Sequence, residues 1–406
     1  FTVSETAYFW RWWKEQRGAT RSTFRSLVAE GRIQFAGGGW VQADEATTYY
    51  LQLIDLYTWG LRKINDTLGP CGKPKAAWQI DTYGHSKEHT SLLAQMGYDG
   101  LFLEWSLCGE GVTSLVNDFI SKIERQAKYY EHDNILVMMG GDFTYQSAAN
   151  WFMNIDKLIN HVSSHPANIS DVNIFYSTPS CYLKAIYLYG KRDKAIHTEK
   201  ADLLPYGSDS NTYWTGFYTS RPSLKYFAVR AHVLLQVVKQ LTVLSRMSDS
   251  YELHLLRHAV STSQQHVVND FISILSDAVE VCTKKISQYL SILTPSWGGS
   301  RRPKGSQQFL VCHMLNISQC RFSETQDSIL LLVYNPLSIK TYHHFTLSVL
   351  SLLKYKGQFT VYLGSFIAPC TYATTTDPLS ISFPFDISTP LLTYCKTDFE
   401  TVSVIM

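Results

Sequence analysis

The first half of the chain alternates between short apolar runs and amphipathic stretches. Five runs have the length and composition of buried parallel strands: residues 33–35, 76–80, 101–103, 134–139 and 172–176. Between them, apolar residues recur at steps of three and four, which predicts helices. Strands that alternate with helices indicate a parallel sheet, so residues 1–215 are predicted to form an α/β catalytic domain.

The pattern changes in the second half. Residues 216–295 have apolar positions at helical spacing throughout and are predicted to form a helical bundle. A linker rich in Gly, Ser and Arg follows. Residues 306–406 contain β-rich segments separated by turn residues, and we predict that they form the start of a β-sandwich.

Composition narrows the possible functions only slightly. The 406 residues carry a net charge of +2, which gives no electrostatic reason to expect nucleic acid or a membrane surface as partner. No apolar run approaches the roughly 20 residues of a membrane span. The chain opens on Phe1 without a signal peptide, so we expect a fragment or a processed product.

Several features favour the secretory pathway. Cys312 and Cys320 flank a predicted turn at a distance that a disulfide can bridge. Asn65, Asn168 and Asn316 each begin a glycosylation sequon. Together these features predict an oxidising, lysosomal or extracellular compartment.

Two carboxylates follow predicted strands. Asp81 ends the run 76–80, and Asp142 follows 134–139 after two glycines. Polar residues at the carboxyl ends of parallel strands face the crevice in which such sheets bind ligands. A pair of carboxylates can cleave a glycosidic bond, one as nucleophile and the other as acid. The alternative, which the pattern leaves open, is that both are structural turn residues.

Histidine spacing suggests a metal without identifying one. Three pairs stand four residues apart, which places both rings on one face of a helix: His85/His89, His161/His165 and His254/His258. With 13 histidines in the chain the spacing has little specificity, and surface histidines are the alternative for each pair. The chain contains neither a phosphate-binding glycine loop nor the Gly-x-Ser-x-Gly motif of serine hydrolases.

Taken together, ordered motifs across the chain resemble those of glycoside hydrolase family 38, the zinc-dependent retaining α-mannosidases, and most of all the lysosomal type. The motifs lie at residues 8–13, 35–46, 77–86, 94–100, 139–145, 176–179, 214–217, 220–222, 257–267 and 334–337. They cover most of the chain up to about residue 338. The resemblance implies hydrolysis of terminal α-mannose from glycans or glycoproteins.

The resemblance also implies roles for individual residues. Asp81 would be the nucleophile and a zinc ligand, Asp142 the acid/base, and His258 a second zinc ligand. Trp40, Tyr145 and His85 would contact the substrate. Zn²⁺ would bind sugar hydroxyls and favour charge development at the anomeric carbon.

The chain departs from the family at three places. The family takes two further zinc ligands from an upstream His-x-Asp pair, and this chain begins downstream of it. Arg257-His258-Ala259 replaces the family's His-His-Asp. Residues 101–107 replace a segment that carries an Arg. Three hypotheses therefore stand: an active α-mannosidase, an inactive or truncated relative that at most binds mannose, and an unrelated α/β binding protein.

Overall fold

A computed structural model describes most of the chain. The described residues are 1–45, 50–81, 84–103, 116–141, 143–164, 172–189, 198–263, 269–293, 308–311, 330–334, 341–348, 362–364, 380–387, 393–396 and 402–405. They fall into two compact units that meet in the sequence between Arg221 and Pro222, and each unit is described by itself. The division into domains 1–215, 216–295 and 306–406 stays a prediction.

The first unit contains eight of the helices and six of the short strands among the described residues. In chain order they are β1 (Thr2–Val3), α1 (Thr6–Glu15), α2 (Gly18–Ala29), β2 (Gln34–Phe35), α3 (Tyr50–Leu68), β3 (Ala76–Gln79), α4 (Lys87–Gln95), β4 (Gly100–Leu103), α5 (Val116–Ala127), α6 (Ala148–Ser164), α7 (Pro179–Tyr189), β5 (Gly207–Asp209), β6 (Thr212–Tyr213) and α8 (Gly216–Thr219).

Strands β3 and β4 form the parallel pair that the apolar pattern predicts. Ala76 is opposite Gly100 and Gln79 is opposite Leu103, with α4 as the crossover. The crossover helix ends at Gln95, and Gly97, two residues later, has φ +86°, a backbone conformation that glycine adopts without steric cost. A second parallel pair joins β1 to β2. The wider α/β parallel-sheet assignment stays a prediction.

Two of the predicted strands are wrong. The structure assigns no β-strand to residues 134–139 or 172–176, although both are described. A strand needs hydrogen-bonded neighbours, which an apolar run alone does not supply. Instead of pairing with a neighbouring strand, the Met139 carbonyl accepts a hydrogen bond from the Tyr145 hydroxyl at 2.6 Å.

Residues 36–45 form a loop that runs through the core of the first unit. The backbone of Gly39 and Trp40 accepts hydrogen bonds from the first turn of α1, and the Trp40 amide donates to Leu56 of α3 at 3.1 Å. Gly37 donates to Ala76 of β3 at 2.8 Å. The loop therefore ties two helices to the central strand pair, and we call it the core loop.

Aromatic rings and cations close the outer side of this core. Phe9 and Trp13 of α1 pack with Phe35 and Ile64 in one buried cluster. The Arg25 guanidinium lies 4.9 Å from the centre of the Trp13 ring, a cation–π contact. These contacts attach α1 and α2 to α3.

The second unit combines helices and strands around one core. It contains α9 (Pro222–Leu244), α10 (Tyr251–Thr262), α11 (Asn269–Leu293), β7 (Phe309–Val311), β8 (Leu330–Val333), β9 (Thr341–Ser348), β10 (Tyr362–Gly364), β11 (Ser380–Ile387), β12 (Thr393–Lys396) and β13 (Val402–Ile405). Among these strands, five form a sheet in the order β10-β12-β8-β13-β7, and β9 pairs antiparallel with β11. Phe309 and Leu332 belong to the same buried cluster as the three helices.

Helix α9 is long and apolar enough to cross a bilayer, judged by length and composition alone. Half of its most apolar stretch is buried inside the unit, against residues of α10 and α11. Core helices commonly have this composition, so packing within the unit accounts for it.

Replacing Gly60 by Ala tests the contact between α3 and the core loop. A Cβ at Gly60 would overlap the Gly38 carbonyl and lie 2.6 Å from the Trp40 nitrogen, and backbone atoms cannot move aside as side chains do. We expect Gly60→Ala to lower the free energy of unfolding by about 1–3 kcal/mol or more, measured by urea denaturation. Gly18→Ala, whose added Cβ meets nothing within 4 Å, is the control and should be neutral or slightly stabilising.

The cysteines of the two units should differ in reactivity. Burial raises the pKa of the Cys282 thiol to about 12, and the residue is fully buried in α11, whereas Cys71 and Cys181 are exposed. We expect iodoacetamide at pH 8 to label Cys71 and Cys181 in the native protein and Cys282 only after denaturation. Peptide mass spectrometry gives the result, and rapid native labelling of Cys282 would contradict this packing.

Candidate active site

The corner between β3 and α4 carries Asp81. The strand ends at Gln79, Asp81 follows it half-buried, and α4 begins at Lys87. Gly84 has φ +87°, and a Cβ there would lie 2.8 Å from the Leu203 carbonyl oxygen. Only glycine suits this position, because both the conformation and the close approach exclude a side chain.

The Ser86 side chain begins α4. Its hydroxyl oxygen accepts hydrogen bonds from the amides of Glu88 at 3.2 Å and His89 at 3.4 Å. Ser86 is therefore the N-cap of α4, and it satisfies amides that would otherwise have no partner in the helix. The corner is therefore short and defined at both ends.

His85 lies buried inside the corner. Its backbone pairs with that of Leu203 in both directions, at 2.9 and 2.8 Å, and 7% of the residue is exposed. Burial lowers the pKa of the imidazole most, and His89 acts in the same direction, while Glu45 and Asp81 oppose them. The imidazole thus lies within electrostatic range of Asp81. Its Nδ1 has no hydrogen-bond partner within the described part of the chain.

A buried polar chain lies beside His85. The His89 Nδ1 is 2.7 Å from a Glu45 carboxylate oxygen, and the His89 Nε2 is 3.2 Å from the Tyr57 hydroxyl. The side chains of His89 and Glu45 are only 2% and 3% exposed. Burial, Tyr98 and Glu45 raise the pKa of the Tyr57 hydroxyl well above its usual value. Tyr57 is therefore protonated and can donate to the imidazole.

The core loop connects the hydrogen-bonded row of Glu45, His89 and Tyr57 to β3. The Gln79 side-chain amide donates to the Ala43 carbonyl at 2.5 Å, and the Gln42 backbone amide donates at 2.9 Å to the carboxylate of Glu5, the residue before α1. Asp44, between Ala43 and Glu45, is fully buried. Asp81 thus follows the end of β3 in the sequence. Asp44 and Glu45 follow Ala43, whose carbonyl is hydrogen-bonded to Gln79 at the end of the same strand.

The predicted acid/base residue, Asp142, lies outside the described residues. Its neighbours are described: the Gly141 amide donates to the Thr144 hydroxyl at 3.0 Å, and Phe143 has φ +62°. Tyr145 is half-buried, with its ring 5.9 Å from that of Trp151 and 5.7 Å from that of Phe152. Tyr145, three residues after Asp142 in the sequence, therefore packs on the start of α6.

The predicted substrate contacts lie in different environments. Trp40 is 2% exposed and packs on Trp59 at a ring distance of 6.0 Å, so it is a core residue in this structure. His85 is buried, and Tyr145 donates its hydroxyl to a backbone carbonyl. Their contact with a sugar stays a prediction.

His258 lies on α10 in the second unit. The residue is exposed, and its carbonyl accepts a hydrogen bond from the Thr262 hydroxyl at 2.8 Å. The preceding Arg257 pairs with Asp249 at 2.8 Å. Asp81 belongs to the first unit, so its relation to His258 stays a prediction.

The other predicted sites are mostly not described. Cys312, Cys320, Asn168 and Asn316 lie outside the described residues. Asn65 is exposed in the last turns of α3, and the hydroxyl of its sequon partner Thr67 donates to the Lys63 carbonyl at 2.7 Å. Glycosylation at Asn65 stays a prediction.

Within the described ranges, no group of three or more His, Cys, Asp or Glu side chains is arranged to hold a metal ion. A zinc site needs about four ligands, usually three of them from protein in a catalytic site. Asp81 and His258 supply donor types that zinc accepts, but the described residues do not complete such a site.

Sequence reasoning did not assign a role to Glu45, Tyr57 or the aromatic cluster at β5–β6. In that cluster Trp214 stacks on Phe217 at 5.7 Å and contacts Tyr206 at 5.3 Å. His89 entered the sequence analysis only as one member of a histidine pair. The sequence feature that could have indicated a role for Glu45 and His89 was the position of these polar side chains among apolar residues.

Comparison with known proteins defines the class. Residues 1–106 and 107–209 match the N-terminal domain of the glycosyl hydrolases family 38. That match covers half of the chain, and the chain belongs to this family. Lysosomal alpha-mannosidases of Cavia porcellus and Bos taurus are each 34% identical to it, over 89% and 84% of this chain. An alpha-mannosidase of Canavalia ensiformis is 29% identical over 83% of it.

These relatives are much longer than the matched region. The chain spans 43%, 41% and 41% of the three relatives' own lengths. Family membership is therefore established for the chain, while the activity and substrates of the whole relatives reach it only as proposals.

Removing the N-cap tests the corner. We expect Ser86→Ala to destabilise the protein by about 1 kcal/mol, because two amides of α4 lose their acceptor. Ser91→Ala, an exposed position on the same helix, is the control and should change stability by less than about 0.5 kcal/mol. Urea denaturation measures both, and equal losses would show that the cap is not specific.

Proposed function

We propose that this chain carries the catalytic carboxylates of a retaining, zinc-dependent α-mannosidase that hydrolyses terminal α-mannose from glycans. The observation that supports this most directly is the position of Asp81. It follows β3 at the carboxyl end of a parallel strand pair, in a chain that belongs to glycosyl hydrolase family 38. Ligands of open α/β sheets bind at such strand ends.

In the proposed reaction Asp81 is the nucleophile and Asp142 the acid/base. One oxygen of Asp81 attacks the anomeric carbon while Asp142 donates its proton to the leaving glycosidic oxygen, giving a covalent glycosyl–enzyme intermediate and a free alcohol. Asp142 then takes a proton from water, and the resulting hydroxide displaces Asp81 with overall retention. Trp40, Tyr145 and His85 are the proposed substrate contacts.

Zinc is the proposed cofactor, and Asp81 and His258 are its proposed ligands in this chain. When bound it would supply a positive charge that attracts sugar hydroxyls. The described residues do not complete this site, so the cofactor is a separate part of the proposal. Elemental analysis of the purified protein tests it: about one zinc per chain supports zinc binding, and none removes it.

The proposed location is the lysosome or another compartment of the secretory pathway. Lysosomal alpha-mannosidases among the relatives support this location. A disulfide between Cys312 and Cys320 and glycans at Asn65, Asn168 and Asn316 belong to the same proposal. The proposed partners are α-mannosyl oligosaccharides and glycoprotein glycans.

A second candidate function is a catalytically inactive relative that at most binds mannose. The Arg257-His258-Ala259 sequence favours it, because the family's acidic residue after the histidine is absent there. In this structure Arg257 forms an ion pair with Asp249. Mannose binding without hydrolysis would select this alternative.

The activity test uses an aryl α-mannoside that releases a chromophore, with zinc added. We expect Asp142→Asn to lower kcat by about 10²–10⁴-fold, because the leaving group then departs without a proton. Asp81→Asn should cost at least as much, because no nucleophile remains.

Asp99→Asn is the matched control. Its carboxylate is exposed and lies 3.9 Å from Lys75 on the surface, so the rate should be unchanged. Equal rates for the unmodified protein and Asp81→Asn would remove the assignment of the nucleophile. No release by the unmodified protein would favour the inactive relative.

A further inference from the structure

The Glu45–His89 pair is the strongest feature without an assigned role. Its two side chains are 3% and 2% exposed, and the nitrogen–oxygen distance is 2.7 Å. Burying charged groups is costly, and such groups are found inside proteins when they are paired and hydrogen-bonded. Three separate elements supply the parts: the core loop supplies Glu45, α4 supplies His89 and α3 supplies Tyr57.

The pair is connected to the β3–α4 corner on both sides. On the strand side, Gln79 is the last residue of β3, only 1% exposed, and donates to Ala43 two residues before Glu45. On the helix side, the His89 amide donates to the Ser86 N-cap. Asp81 lies between these two anchors. Moving Glu45 would therefore disturb both ends of the segment that carries Asp81.

We propose that Glu45 and His89 are positioning residues that fix the β3–α4 corner and thereby the place of Asp81. The catalytic consequence rests on the proposed function, whereas the structural consequence does not. Displacing a reacting group by about 1 Å can cost on the order of 10²-fold in rate. A corner of seven residues that holds a nucleophile benefits from anchors whose own partners are fixed, as His89 is by Tyr57.

The experiment uses Glu45→Gln and His89→Gln in the whole chain, with Glu88→Gln as the control. Glu88 is exposed and adjacent to His89 on α4, so its change tests the loss of a nearby carboxylate alone. Glu45→Gln keeps the size of the side chain and removes its carboxylate, and His89→Gln keeps a polar side chain but removes the imidazole that joins Glu45 to Tyr57. Tyr57→Phe, which removes one oxygen at the far end of the chain of contacts, is a milder variant in case the others do not fold.

The first measurement is amide hydrogen exchange, which needs no activity. The His85 amide donates to the Leu203 carbonyl and reports on the corner, while amides within α1 report on the unit as a whole. We expect the test variants to speed exchange at His85 by roughly tenfold relative to α1, because the corner opens locally. Glu88→Gln should leave the ratio unchanged.

The second measurement is the rate on the aryl α-mannoside. A positioning role predicts a kcat lowered by roughly tenfold or more in the folded test variants, because Asp81 is displaced from the anomeric carbon that it attacks. A pair that only stabilises the fold would lower the unfolding midpoint while leaving both the exchange ratio and the kcat of folded protein as they were.

The two measurements separate the two proposals. An unchanged His85-to-α1 exchange ratio in both test variants would overturn the positioning role, whatever the rate. If the unmodified protein releases no chromophore, the proposed function fails, and the exchange ratio still decides the positioning role. If the protein is active and the exchange ratio rises, an unchanged kcat would overturn the link to catalysis.

Discussion

The first unit depends on the passage of the core loop between two helices and a strand pair. The loop can run there because Gly60 removes a side chain where α3 crosses the backbone of Gly38 and Trp40. In return the loop backbone finds partners in α1, α3 and β3, which is necessary because buried amides and carbonyls are costly when unpaired. Among the described polar side chains near Asp81, Gln79 and His89 are both hydrogen-bonded to this loop.

This arrangement explains why charged groups can be buried next to a strand end. Glu45 is held by His89, His89 by Tyr57, and Gln79 by the carbonyl of Ala43. Each partner comes from a rigid element or from the loop that those elements hold. A hydrogen-bonded arrangement of this kind has few alternatives, since any displaced member would leave a buried group without a partner.

The cores of the two units differ in the kinds of contacts that they contain. The first uses backbone hydrogen bonds and aromatic rings around an irregular loop, whereas the second buries aliphatic side chains of three helices against β7 and β8. Within its core the Tyr334 hydroxyl donates to Gln240 at 2.8 Å, whereas the buried Tyr289 hydroxyl has no hydrogen-bond partner among the described residues. The buried side chains of Glu45, His89 and Tyr57 accordingly lie at or beside the irregular loop of the first unit.

The sequence alone determined the features that depend on neighbours along the chain. The β3–α4–β4 unit, its Ser86 cap and its Gly97 ending follow from periodicity and from residues with strong local preferences. Asp81 at the strand end was predictable for the same reason, and the ordered motifs identified the family. The strands predicted at 134–139 and 172–176 were wrong because strand formation depends on a partner that an apolar run does not specify.

Only the tertiary structure decided the roles of residues whose partners are distant in sequence. Glu45 and His89 are 44 residues apart, and no local pattern shows that they meet. Trp40 matched a family motif, yet its burial against Trp59 became visible only in three dimensions. Local conformational preferences therefore determine where a helix or strand begins and ends. The burial and the hydrogen-bond partners of a side chain depend on how these elements pack together, which no local sequence pattern specifies.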